Sequence, residues 1–348
     1  MRHAHGSAPY RSGRGLRSQG LLAVAAGVTV LLAVGCSSAA NPGATVSSIV
    51  TIAAIPGIDT APLYLAERDG IFAADGLTHV VIHDVSTEGA ALTAVAKGQA
   101  DIAASDYGSI FYAQSLNPDL RILTDGYDAS AGVVEVLTWQ GSSITSPLDL
   151  ANDVVGVPDE QLLPIQAVTD DPVSLDAAAA TQVLTNYLGN DAESVVWKPM
   201  SQQQEVAELE AHHLNAAVLS QPYIFEAESE FGASVVFDAC SGSTASLPLT
   251  GYVATDAWVK AHSAAVADFQ AAMVKANTDA SMAGEVQKIL PNTTGMTVAE
   301  ADLSTVGSYP TSTSAINLER VVRLMTNFDM LKPTQVPSVP PMIVTPGS

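Results

Sequence analysis

The side chains able to do chemistry gather in short loops rich in Gly, Pro, Ser and Thr. They are Pro56-Gly57-Ile58-Asp59, Ser86-Thr87-Glu88-Gly89, Ser105-Asp106-Tyr107-Gly108, Gly126-Tyr127-Asp128, Pro158-Asp159-Glu160, Gln221-Pro222-Tyr223 and Gly251-Tyr252. Most follow a run of apolar residues. Together they supply carboxylates, phenols, an amide and loop N–H groups, which suits holding a small molecule by hydrogen bonds and charge. No Gly-x-Ser-x-Gly turn, P-loop or Gly-x-Gly-x-x-Gly occurs, so hydrolase, nucleotide-binding and dehydrogenase chemistry has no motif here. Each residue also has a structural use. Asp59, Glu88 and Asp106 suit helix caps and acidic first turns, and Tyr107, Tyr127, Tyr223 and Tyr252 suit a core that satisfies their hydroxyls. His79 and His83 stand four apart, but on a strand that spacing separates them by about 13 Å, which does not make a metal pair.

Charge narrows the classes further. The 348 residues carry 14 Lys and Arg against 36 Asp and Glu, a net charge of −22. Arg2, Arg11, Arg14 and Arg17 precede the first acidic residue, so the remainder holds ten basic residues and a net charge of −26. A surface this acidic repels phosphate backbones and anionic lipid, which excludes nucleic acid as a partner. None of the ten basic residues lies in the loops named above.

The N-terminus sets the compartment. Met1 to Gly20 is polar with four arginines, Leu21 to Val34 is apolar and uncharged, and Gly35-Cys36 follows. This is the three-part plan of an export signal. An apolar run of about 14 residues is shorter than the roughly 20 needed to span a bilayer. Of the two cysteines, Cys36 stands where the mature chain would begin, and Cys240 reads as a buried small apolar residue with no disulfide partner.

Stepping along the chain from there, residues 39–48 have turn-formers and no periodicity. Strand and helix then alternate. Ile49 to Ile55, His79 to Val85, Asp101 to Ala104 and Arg121 to Thr124 read as strands, with helices after Asp59 and over Glu88 to Lys97. A second series begins after Asp149: strands Val154 to Val157, Ser194 to Trp197 and Ala216 to Leu219, with helices Ser174 to Tyr187 and Gln203 to His212. Gly251 to Ala254 is strand-like, Asp256 to Ala283 has helical composition, and Leu318 to Phe328 is amphipathic. The arrangement predicts an α/β protein of two lobes with parallel sheets covered on both faces. In such sheets ligands bind beyond the carboxyl ends of strands, which is what selects the loops above.

Several of these segments resemble a known family. Ala61 to Leu77 (APLYLAERDGIFAADGL), Ala94 to Asp106 (AVAKGQADIAASD), Ser146 to Pro158 (SPLDLANDVVGVP), Ala216 to Tyr223 (AAVLSQPY) and Glu319 to Leu331 (ERVVRLMTNFDML) are similar, in order, to solute-binding proteins of ABC importers in the nitrate/sulfonate/taurine/thiamine-pyrimidine (SsuA/THI5-like) group. Ala33-Val34-Gly35-Cys36 resembles the lipobox of bacterial lipoproteins. His213-Leu214-Asn215 departs from the family by lacking its Gly and Asp, and Ala151-Asn152-Asp153 lacks its basic residues.

The resemblance implies a type 2 periplasmic-binding-protein fold in which two lobes, joined by two crossovers, close on a ligand. It divides the chain into a signal peptide (1–35), a lipidated Cys36 with its tether (36–48), lobe one (49–126 and 255–332), lobe two with the crossovers (127–254) and a Pro-rich tail (333–348). It implies a monomer without cofactor or metal, lipid-anchored on the outer face of the bacterial cytoplasmic membrane. The protein would deliver a small solute to an ABC permease and its ATPase. The residues expected at the ligand are Ile58, Asp59, Thr87, Glu88, Ser105, Asp106, Tyr107, Tyr127, Asp159, Glu160, Gln221, Tyr223 and Tyr252. Tyrosines with carboxylates and no Lys or Arg favour a neutral or cationic flat ring such as a thiamine-type pyrimidine. Helix N-termini can still supply donors to a sulfonate- or nitrate-type anion. Two alternatives have other outputs: a thiamine-pyrimidine-synthase-like enzyme using pyridoxal phosphate, and a ligand-sensing subunit of a signalling system.

Overall fold

In the computed structural model residues 49–158, 174–282 and 284–345 are described. Cys36, the tether and the Asp159-Glu160 pair lie outside them. Strand β1 (Val50–Ala54) is apolar and almost wholly buried, and Pro56-Gly57 stops it. Helix α1 (Ala61–Arg68) follows with a proline in its first turn, where a missing N–H leaves no intrahelical bond unmade. The short α2 (Ile71–Ala74) leads to β2 (Val80–Asp84), α3 (Glu88–Ala96) and β3 (Ile102–Asp106). Both strands pair parallel to β1, one on each side. Helix α4 (Tyr107–Leu116) then starts directly from the end of β3, and β4 (Leu120–Asp128) completes this half.

The chain crosses to a second sheet through β5 (Val134–Thr138). Elements β6 (Val154–Pro158), α5 (Leu175–Leu188), β7 (Val196–Met200), α6 (Gln202–Glu210), β8 (Ala216–Ser220), α7 (Tyr223–Phe231) and β9 (Ser234–Asp238) follow. Strand β10 (Pro248–Thr255) returns to the first sheet. Helices α8 (Asp256–Ala261), α9 (Ser263–Ala280), α10 (Glu285–Thr293), α11 (Val298–Leu303) and α12 (Ala315–Asn327) pack on that half. Among the described residues there are two five-stranded sheets, ordered β2-β1-β3-β10-β4 and β7-β6-β8-β5-β9.

The strands of the βαβ units pair parallel as expected, and each sheet also carries antiparallel pairs. Strand β10 runs antiparallel to β3 and β4, and β5 antiparallel to β8 and β9. These are the strands that arrive straight from the other sheet with no α-helix between, so they enter in the reverse direction. The return crossover is also earlier in the chain than Gly251-Tyr252. It runs over residues 239–247, and Gly251 and Tyr252 lie inside β10, hydrogen-bonded between two neighbours.

The crossovers brace one another. Ala129 N–H donates to Leu247 O (2.8 Å) and Ala239 N–H to Val134 O (2.9 Å). From α12, the Arg320 guanidinium donates to Ser243 O (2.8 Å), Ala245 O (2.7 Å) and Ser246 O (3.3 Å). The Pro-rich tail is not free either. Val339 and Met342 are buried, and Val344 N–H donates to Ile122 O (2.9 Å). Gln270 on α9 fastens the tail to β4 by donating to both Leu123 O (2.7 Å) and Val344 O (2.9 Å). Among the described residues no helix is long and apolar enough to cross a membrane.

Candidate functional site

Four helix starts converge on one cavity of about 420 Å³. Asp59 stands just before Thr60, the N-cap of α1. Glu88 opens α3, whose N-cap Thr87 accepts the Ala90 N–H (3.1 Å). Asp106 is itself the N-cap of α4 and accepts the Ser109 N–H at Oδ1 (2.8 Å). Asp176 is in the first turn of α5, in the second lobe. All four carboxylates line the cavity. The two halves approach closely here: a Cβ built on Gly108 would lie 3.4 Å from Leu175 Cβ.

Three of the four carboxylates are hydrogen-bonded to the frame. Asp106 N–H donates to Glu88 Oε2 (3.1 Å), and the Thr250 hydroxyl donates to Asp59 Oδ2 (2.8 Å). Asp106 Oδ2 is sealed from solvent and has no hydrogen-bond partner among the described residues. No Lys, Arg or His lines the cavity among those residues. Burial therefore raises all four acids. Glu88 is pushed well above the usual carboxylate range by burial and then by Asp106 and Asp59. Burial raises Asp106, and raises Asp59 against the opposing Thr250 hydrogen bond. Asp176 is pushed up to about 7 by burial, then by Asp106 and Asp59. Repulsion among like charges removed from water has this sign.

Of the residues expected from sequence, Ile58, Asp59, Glu88, Asp106, Tyr127, Gln221 and Tyr223 line the cavity. Tyr127 accepts the Gly307 N–H at its hydroxyl (2.6 Å), and Gln221 Oε1 accepts the Phe225 N–H (3.4 Å). Four others lie elsewhere. Thr87 is occupied by capping α3. Ser105, Tyr107 and Tyr252 are fully buried in lobe one. Tyr107, the first residue of α4, turns down onto the sheet, lies over Gly251 and donates its hydroxyl to Asp125. Tyr252 packs edge-on against Phe269, with ring centres 5.5 Å apart.

Sequence reasoning missed Asp176, Leu175, Gln202, Ser220, Thr250, Met296 and Thr305, among others lining the cavity. Asp176 carried a usable signal, an acid in the first turn after the N-cap Ser174, but the strand-end rule pointed to Asp159 and Glu160 instead. Gln202 and Ser220 hold each other across lobe two, with Ser220 N–H on Gln202 Oε1 (2.8 Å) and Gln202 Nε2 on Ser220 Oγ (3.0 Å). Met296 and Thr305 come from loops around α11, which a rule about strands does not reach. Cys240 is buried, and burial followed by Asp176 pushes its thiol pKa up, so it behaves as an apolar side chain. Among the described residues no group of three or more His, Cys, Asp or Glu is placed to hold a metal ion.

Two mixed α/β lobes with a cleft between their strand ends define a periplasmic-binding-protein fold. The sequence profile described as NMT1/THI5 like matches residues 58–283, more than half of the chain, and the protein belongs to that family. Solved structures repeat the fold. The alkanesulfonate-binding protein SsuA from Xanthomonas axonopodis pv. citri, bound to MOPS, superposes with a TM-score of 0.66 at 14% identity, covering 85% of this chain and 97% of that one. The ligand-binding component of an ABC-type import system from Staphylococcus aureus, with zinc bound, gives 0.67 at 11% identity over 86% and 97% of the two chains. The periplasmic nitrate-binding protein NrtA from Synechocystis PCC 6803 gives 0.54 at 15% identity over 72% and 68%. No curated protein matches the sequence.

Proposed function

We propose that this protein is the extracytoplasmic solute-binding lipoprotein of an ABC importer, capturing a small organic solute between its lobes and presenting it to a permease driven by an ATPase. The observation that carries the reading is the cavity between the lobes, lined by hydrogen-bonding and acidic side chains from both. Asp59, Glu88, Asp106, Tyr127, Gln221 and Tyr223 are the proposed ligand contacts already visible in the sequence, and Asp176 and Thr250 join them. An enzyme using pyridoxal phosphate does not fit this cavity, because no lysine lines it among the described residues and a Schiff base has no partner there. The structural neighbours are named as binding proteins, one of them as the ligand-binding component of an ABC-type import system, which supports binding over catalysis.

Ligand class follows from charge. An anion in a closed cleft needs donors or a counter-charge, and this lining supplies carboxylates. A neutral or cationic ring, such as an aminopyrimidine, suits it better than a sulfonate or nitrate. Isothermal titration of the detergent-solubilised full-length protein with aminopyrimidines and with alkanesulfonates is expected to give heat only for the first set. Tight sulfonate binding with silent pyrimidines would reverse the assignment.

The export and anchoring part rests on the arginine-rich start, the apolar run and Cys36. Acyl chains contribute about 0.8 kcal/mol per buried CH₂, so two or three hold a protein on a membrane. Cys36→Ser is expected to move the protein from the membrane pellet to the soluble or uncleaved-precursor fraction, without incorporation of labelled palmitate. Unchanged palmitate labelling would show that the lipid is elsewhere.

A further inference from the structure

We propose that the cleft is a receptor for an organic cation, whose protonated nitrogen is clasped between Asp59, Glu88 and Asp106 of one lobe and Asp176 of the other. This rests on reading the cavity as the solute site and specifies what that site recognises. Helix N-termini are the places where a binding protein would hold an anionic ligand group. Here the chain's own acids stand at the starts of α1, α3, α4 and α5, and Asp106 itself accepts the Ser109 N–H of α4. A bound anion would add to negative charge that is already confined there.

A second observation points to something missing. Buried carboxylates in folded proteins are paired and hydrogen-bonded. Asp106 lines the cavity, yet its Oδ2 is sealed from solvent and unpartnered among the described residues. No basic side chain among those residues lines the cavity to balance the four acids. The absent counter-charge is therefore what the ligand brings. The four acids are not grouped for a bare metal ion. A cavity of about 420 Å³ gives them room to surround an amine, amidine or ammonium group carried on a small organic frame.

The division of the acids between lobes gives the cation a second role. Three stand on the first lobe and Asp176 on the second, so an unliganded cleft brings like charges together as it closes. A cation between them reverses the sign of that interaction. Closure is then driven by the charge of the ligand and not by its apolar area.

The test uses full-length protein in detergent with putrescine, agmatine, choline, benzamidine and thiamine. Benzamide and 3,3-dimethylbutanol serve as neutral counterparts of benzamidine and choline, and an alkanesulfonate as the anion. At least one cation is expected to bind, with its uncharged counterpart, where one is included, far weaker, and to reduce the radius of gyration in small-angle scattering. Asp176→Asn is expected to bind that cation roughly 10- to 100-fold more weakly, the worth of a charge-assisted hydrogen bond. The same variant should melt at a higher temperature when unliganded, because a repelled buried charge has been removed, a sign that simple loss of structure cannot produce. Asp106→Asn provides an independent variant with the same expected pattern. Binding and closure by a neutral or anionic compound, unaltered in Asp176→Asn, would overturn the cation while leaving the solute cleft intact. Failure of every compound to bind or to close the lobes would overturn the solute-site reading, and this inference with it.

Discussion

Raising the pH from 5 to 8 is expected to destabilise the folded protein by about 4 kcal/mol through Glu205 alone, at about 1.4 kcal/mol per pH unit for each proton held only by the folded chain. Glu205 lies on α6 with no exposed surface, pressed against Gly156 of β6, where a Cβ would meet its Cγ at 3.1 Å. Its oxygens are sealed from solvent, and only the Val218 N–H opposes the effect of burial. Burial, and then Asp176, push its pKa from 4.5 up to about 9. The folded chain therefore keeps this proton over a range in which the unfolded chain has released it. The resulting stabilisation is complete below the unfolded value and disappears as the pH rises through the folded one. Asp125, raised to about 6, and Asp128 and Asp176, raised to about 7, act in the same direction lower in the range, each mainly through burial.

The opposite trend belongs to acids nearer the surface. Asp256 is held below the usual range by Lys260 and Arg121, and Asp149 by the Thr145 N–H and the Ser146 hydroxyl. Their contribution is lost only on acidification below the ordinary carboxylate range. Stability should thus peak in mild acid. Urea midpoints at pH 5, 6, 7 and 8 measure this directly, and Glu205→Gln should flatten the curve and exceed the parent protein at pH 8. A midpoint that rises with pH, or a variant with the parent slope, would show that Glu205 is ionised in the fold.

Tyr107→Ala is expected to remove about 3–5 kcal/mol of stability, the usual range for truncating a buried aromatic. That is a large part of the 5–15 kcal/mol by which domains are stable. The ring is fully buried, stacks on Phe111 with centres 5.6 Å apart, and occupies the space that a glycine at 251 leaves open. A Cβ there would lie 2.4 Å from its hydroxyl oxygen. Tyr107→Phe separates packing from hydrogen bonding. It removes the phenol that donates to the Asp125 carboxyl and should cost about 1–3 kcal/mol. Because Tyr107 does not line the cavity, ligand affinity of folded Tyr107→Phe should equal that of the parent protein. A large loss of affinity with unaltered melting would return Tyr107 to the site.

Tyr107 and Asp176 show where local reading stops. A tyrosine after a strand end, next to an aspartate and a glycine, has the composition of a binding loop. What sends it inward is that Asp106 caps α4 immediately, so Tyr107 becomes the first helical residue and faces a sheet in which Gly251 has left a gap. That gap belongs to β10, almost 150 residues later. Asp176 was hidden for the converse reason. It is far from the end of β6 in sequence, and only the start of α5 brings it beside residues of the other lobe. Asp59, Glu88 and Asp106 were legible because the strand, the turn and the acid at the helix start are contiguous.

The sequence by itself determined two α/β lobes, a family resemblance carried by ordered motifs, an acidic chain whose first four basic residues precede every acid, and three of the four cavity carboxylates. Those properties are local: apolar runs, caps and turn residues act over one strand and the helix after it. The tertiary structure alone decided that β5 and β10 run against their neighbours, that the Pro-rich tail packs on β4, and that Tyr107 and Tyr252 belong to the core. It also decided that carboxylates from both lobes line the same space, with no basic side chain beside them among the described residues. Such facts depend on which distant segments become neighbours when the sheets pair, and spacing along the chain does not encode how charges from separate lobes add in a shared, poorly solvated cavity.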